Sequence, residues 1–183
     1  MKKIVLISLL VLSAFTLKAQ KYITRNGFIQ FFGETQFETI KADNNQVASI
    51  LDTQTGEMVF QALMKSFHFE KALMEEHFNE NFVESDKYPK AVFKGKITDL
   101  STVDFTKSGV YNVQVEGELN LHNVTKKITE PGTIEISDKG IEAKSNFKVI
   151  PEDYSIEIPS VVRDKVAKEM DVTVDMKYTP MGK

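Results

Sequence analysis

Tyr111-Asn-Val-Gln-Val-Glu-Gly-Glu-Leu-Asn-Leu121 alternates without a break. Tyr111, Val113, Val115, Gly117, Leu119 and Leu121 share one side; Asn112, Gln114, Glu116, Glu118 and Asn120 share the other. A period of two marks a strand with one face buried and one in water. Working outward, Ile141, Ala143, Ser145, Phe147 and Val149 alternate with Glu142, Lys144, Asn146 and Lys148. Met170, Val172, Val174, Met176 and Tyr178 do the same against Asp171, Thr173, Asp175 and Lys177. Phe93, Gly95 and Ile97 against Lys94, Lys96 and Thr98 is a weaker case.

Turn residues divide these runs. Asn26-Gly27 fits a two-residue hairpin between Lys21–Arg25 and Phe28–Thr35. Thr53–Gly56 separates Val47–Asp52 from Glu57–Lys65, and Lys107-Ser108-Gly109, Pro131-Gly132 and Asp138-Lys139-Gly140 punctuate the rest. The spacing predicts about nine strand-like segments in an antiparallel meander. Two stretches read as helical: Glu70–Phe82, with Leu73, Met74, His77, Phe78 and Phe82 near helical spacing, and a short turn over Ser160–Ala167 after Pro159. One-sided strands in this number either stack as two sheets or close into a barrel, and periodicity alone does not choose.

The start of the chain is read separately. Lys2 and Lys3 precede an apolar run from Ile4 to Leu12, and small residues follow around a cleavage point after Ala19. This is the plan of a secretory signal peptide, and the run is shorter than the roughly 20 residues of a spanning helix. The expectation is residues 1–19 as signal peptide, residues 20–183 as one domain, and a periplasmic or secreted product, soluble after cleavage. With no cysteine in 183 residues, stability has to come from an apolar core rather than disulfides. The net charge of −3 argues against nucleic acid as a partner.

Catalytic patterns are thin. No Gly-x-Ser-x-Gly turn or phosphate-cradling glycine loop occurs, and cysteine chemistry is excluded. His77 has no second histidine at i+3 or i+4, so a zinc site would have to recruit His68 or His122 from afar. No metal and no cofactor is expected. The inward faces instead mix large residues (Phe60, Phe67, Phe93, Phe147, Leu119) with small ones (Gly95, Gly117, Ala143, Ser145), which leaves volume for a ligand or fills a tapered core.

Two longer stretches carry a resemblance. His77-Phe-Asn-Glu-Asn-Phe-Val-Glu-Ser-Asp-Lys-Tyr-Pro-Lys-Ala-Val-Phe93 and Gly117-Glu-Leu-Asn-Leu-His-Asn-Val-Thr-Lys126 resemble the two signatures of the YceI-like, polyisoprenoid-binding family. Phe147 and Tyr154-Ser-Ile156 ahead of a final alternating strand match as well. The resemblance implies an all-β fold: an eight-stranded antiparallel lipocalin-like barrel with a short helix near the mouth. It implies a non-enzymatic role, holding an isoprenoid-type lipid (a polyprenyl phosphate or quinone-like chain) in an apolar tunnel. Asn123 replaces the family's usual glycine, and asparagine tolerates a left-handed turn. Pro151–Ile156 lacks an arginine that many members carry, which questions a phosphate head group; Lys87, Lys90 and Arg163 are the candidate substitutes.

The lining expected on this reading is Phe31, Phe60, Phe67, Phe93, Val115, Leu119 and Phe147, with Met74, Phe78 and Phe82 at the mouth and Tyr88 and His122 as polar contacts. A transient membrane contact and a homodimer are compatible with it. The alternatives are an envelope protein-interaction module with a filled core and, behind it, a metal-assisted hydrolase at His77.

Overall fold

The computed structural model describes residues 21–182, so the signal-peptide reading of residues 1–19 lies outside them. The strands are β1 (Lys21–Glu34), β2 (Thr39–Asp52), β3 (Glu57–Leu63), β4 (His68–Phe69), β5 (Lys90–Ile97), β6 (Gly109–Leu121), β7 (Val124–Ser137), β8 (Gly140–Val149) and β9 (Met170–Pro180). All pair antiparallel in the order β1-β9-β8-β7-β6-β5-β3-β2, and β2 returns to β1. Eight strands therefore close a meander barrel, which removes the free edges an open sheet would expose. The two-residue β4 is a patch on β2, pairing Ala42 with Phe69 and Asp43 with His68. It covers the stretch where β3 has parted from β2, and the fully buried Asn44 bridges the same gap by donating to the Leu63 carbonyl at 3.1 Å.

Two of the expected turns are strand. Asn26-Gly27 is no hairpin; β1 runs through it with register shifts between Thr24 and Ile29. This is a bulge, where one strand carries residues its partner does not match. Glycine is needed there because a Cβ on Gly27 would meet the Met176 sulfur and, at 3.1 Å, the Val47 carbonyl. Pro131-Gly132 is likewise inside β7, opposite Gln114 and Val113 of β6. Proline is tolerated because β7 pairs with β8 only from Gly132 onward, leaving Pro131 at an edge. The His122-Asn123 pair does turn the chain, joining β6 to β7 with both residues at positive φ (50° and 62°), as a type I′ hairpin requires.

The interior is uneven along the barrel axis. At the end marked by the Thr53–Gly56 turn, Leu51, Met58, Ile97, Val103, Ile134, Ile136, Ile141, Met176 and Tyr178 are buried against one another. This floor is solid. At the other end lie the β1–β2 turn, the Pro151–Glu169 connection and a cap. The cap is a short helix α1 (Ala72–His77) that widens into a π-turn over Phe78–Phe82. Among the described residues, no helix is long and apolar enough to cross a membrane.

Candidate functional site

Above the floor the strand parity continues, but the inward side chains no longer meet. They enclose a cavity of about 560 Å³, within the range of about 300–1,000 Å³ usual for ligand sites. Its walls carry Phe31, Phe60, Phe67, Phe93, Val115, Leu119 and Phe147, and its cap contributes Met74, Phe78 and Phe82. Phe31 is the hinge of an aromatic cluster, with ring centroids 5.3 Å from Phe67, 5.6 Å from Phe69 and 5.4 Å from Phe78. These rings fasten the cap to the barrel wall. Offset and edge contacts of this kind add to the gain from burial.

The small inward residues act in two ways. Ala143 and Ser145 face the cavity. Gly95 and Gly117 are cross-strand partners, and a Cβ on either would run into the neighbouring strand's backbone and the Phe93 ring. Their space is occupied by Phe93, itself 5.8 Å from Phe60. The glycines thus seat an aromatic wall rather than leaving volume.

Polar groups on the wall are few. At the rim, Lys71 Nζ donates to Glu38 Oε1 at 2.7 Å, and this hydrogen bond raises the lysine above its ordinary pKa. His77 and Lys165 also stand at the rim. Glu130 points inward from the middle of β7, and removal from water pushes its carboxyl above the usual range. Glu130 is hidden in the sequence because Pro131-Gly132, directly after it, carries the chemistry of a turn. Reading Val124, Ile128, Ile134 and Ile136 as one face puts Glu130 on that face as well.

Tyr88 and His122 are not on the cavity wall, which corrects their expected place. His122 is nearly buried, with Nδ1 3.1 Å from the Tyr154 carbonyl, Nε2 3.2 Å from the Glu84 carboxylate and Tyr88 edge-on at 4.3 Å. Both ring nitrogens are already engaged, so the cluster bolts the β6–β7 hairpin to two loops. The assembly that a metal site at His77 requires is not present: His68 faces Glu75 at 3.6 Å, and no three His, Asp or Glu side chains gather among the described residues. The proposed phosphate substitutes are elsewhere too. Arg163 is held by Glu152 and the Ile158 carbonyl, Lys87 sits beside Glu84, and Lys90 is not on the wall.

The sequence profile of the YceI-like domain matches residues 14–178. The chain belongs to the YceI-like family. Comparison with curated proteins returns no match. Solved structures share the YceI-like barrel. A polyisoprenoid binding domain from Saccharophagus degradans, implicated in plant cell wall breakdown, superposes with a TM-score of 0.76 at 16% identity, covering 89% of this chain and 99% of that one. BcnA of Burkholderia cenocepacia gives 0.67 at 13% identity, covering 81% and 94%. The Campylobacter jejuni YceI protein gives 0.62 at 15% identity, covering 82% and 90%. At such identities the likeness is one of fold, and the eight-stranded closed barrel agrees with the expectation from sequence.

Proposed function

We propose that this YceI-like protein sequesters or carries a lipid with an isoprenoid-type chain, exported to the cell envelope and acting by binding rather than by bond making. The observation that carries the reading is the cavity in the upper barrel, walled by Phe, Val, Leu and Ile. Water finds few hydrogen-bond partners on such a surface, whereas a hydrocarbon tail gains about 25 cal/mol for each Å² it buries. Rings and branched side chains without fixed donors suit a methyl-branched chain of variable length. The Saccharophagus degradans relative, described as polyisoprenoid binding, supports the same class of ligand. The protein-interaction alternative needs a filled core, and the core is filled only in the lower half.

The test is native mass spectrometry of the protein purified from its own envelope fraction. A reproducible adduct whose released mass is that of a prenyl lipid is the expected result. Repeated recovery of bare protein, together with failure to take up a prenyl lipid added in detergent, would overturn the reading.

A further inference from the structure

Strands β7 and β8 hold together over only half their length. Their pairing runs from Ser137–Gly140 to Gly132–Ser145; beyond it, Val124–Pro131 pairs with β6 alone and Asn146–Val149 with β9 alone. Ser145 Oγ donates to the Pro131 carbonyl at 2.7 Å and pins the lower corner of the seam. The upper corner is stitched by Lys126, which reaches Asp153 at 3.0 Å and lies over the Tyr154 ring at 5.7 Å. Between the corners β7 and β8 do not pair, and the cavity wall there is made by Ile128 and Glu130 on one side and Phe147 and Val149 on the other. Without ladder pairs to close it, this stretch is an opening in the barrel wall beside the cavity.

Glu130 stands at that opening, opposite Val115 and one residue before the proline. Its carboxylate takes part in no hydrogen bond or ion pair among the described residues. The nearby cations are committed elsewhere, Lys126 to Asp153 and Lys144 to Glu142 at 2.9 Å. Tyr154 feels the Glu130 charge, which adds to the desolvation that raises its phenol. An inward carboxylate without a counter-charge repels a second anion and accepts from a donor, and the low-dielectric wall strengthens both effects.

We propose that Glu130 reads the polar end of the bound lipid, and that this end carries an uncharged or cationic hydrogen-bond donor, a hydroxyl or an amine, rather than a phosphate. The inference rests on the lipid-binding reading above. It assigns the β7–β8 seam as the place where the polar end meets solvent while the tail fills the cavity. The absence of an arginine from Pro151–Ile156 fits this assignment: Pro151, Tyr154 and Ile156 are buried there, and the cation beside them, Lys126, is already paired with Asp153.

The experiment compares three ligands with one tail, geranylgeraniol, geranylgeranyl amine and geranylgeranyl phosphate, by native mass spectrometry titration and fluorescence competition near neutral pH. The alcohol and the amine are expected to bind at least about tenfold more tightly than the phosphate, the scale of one uncompensated like-charge contact. Glu130→Gln should narrow that gap severalfold by improving phosphate binding, and should weaken the amine more than the alcohol. Phosphate binding as tight as the alcohol in the unmodified protein would overturn the inference, as would a gap that Glu130→Gln leaves unchanged. A selective loss of phosphate binding in Lys165→Gln, with the phosphate favoured beforehand, would place the head group at the rim and overturn it too. If none of the three ligands binds to protein with an intact far-ultraviolet spectrum, the lipid-binding reading itself falls.

Discussion

Ser49 and Tyr178, 129 residues apart in the chain, meet hydroxyl to hydroxyl at 2.6 Å in the barrel floor, both almost wholly buried. Neither borders the cavity. The pair ties β2 to β9 across the interior, so it reports on the fold alone.

Tyr178→Phe removes one partner and leaves the Ser49 hydroxyl buried without it. The expected cost is about 1–2 kcal/mol, measured by urea unfolding, with lipid affinity unchanged. The same residue sets an alkaline limit. Burial raises the Tyr178 phenol far above its ordinary value, and the Ser49 hydrogen bond offsets only part of that. The unfolded chain therefore loses this proton first, so stability is full below about pH 10, the ordinary tyrosine value, and declines as pH rises beyond it. Unfolding free energy against pH should fall less steeply above that point in Tyr178→Phe.

Gly117→Ala forces a methyl group against the β5 backbone and the Phe93 ring. Overpacking of this kind costs about 1–3 kcal/mol, and here it also pushes Phe93 into the cavity. The expected result is a lower melting temperature together with weaker lipid binding, read by calorimetry and titration.

Ala91→Phe tests the cavity without touching charge. Ala91 lines the wall and is only half-buried, so a ring can occupy the space a tail would use. Binding should fall at least about tenfold, the equivalent of roughly 1.4 kcal/mol, while circular dichroism shows the barrel intact.

Phe78→Ala cuts the cap loose from Phe31, Phe67 and Phe69, to which its ring lies within 6.0 Å. A loss of about 2–3 kcal/mol is expected, below the full cost for a completely buried ring. Ligand dissociation should accelerate more than association, as stopped-flow exchange would show.

His122→Ala releases the Tyr154 carbonyl and the Glu84 carboxylate at once. Glu84 is partly exposed and contributes little, so the cost is about 1–2 kcal/mol. Its signature is local: hydrogen exchange should quicken around Pro151–Ile156 and the upper seam while the floor strands keep their protection.

Much of this architecture was legible because β6, β8 and β9 are half-buried strands whose side chains alternate strictly. The cap was legible from the helical spacing of Leu73, Met74 and Phe78. What escaped was set by partners distant in the chain. Asn26-Gly27 carries hairpin chemistry, but Met176 demands the glycine for packing within a continuous strand. Pro131-Gly132 carries turn chemistry, but β8 has already departed, so the strand continues. Gly95 and Gly117 suggested free volume, which the Phe93 ring takes. His122 offered a polar contact for a ligand, whereas Glu84 and Tyr154 use both its nitrogens. Glu130 was hidden by the turn-forming proline that follows it, although its neighbours' parity pointed inward.

The contrast between solid floor and hollow upper barrel has a consequence for how such a protein can vary. A cup whose base holds its shape and whose bowl holds the guest places two selective pressures on different residues. Substitutions in the bowl, at positions such as Ala91, Glu130 or Phe147, can retune the guest while Leu51, Met176 and Tyr178 keep the base unchanged. Inheritance can then preserve the vessel while its contents drift.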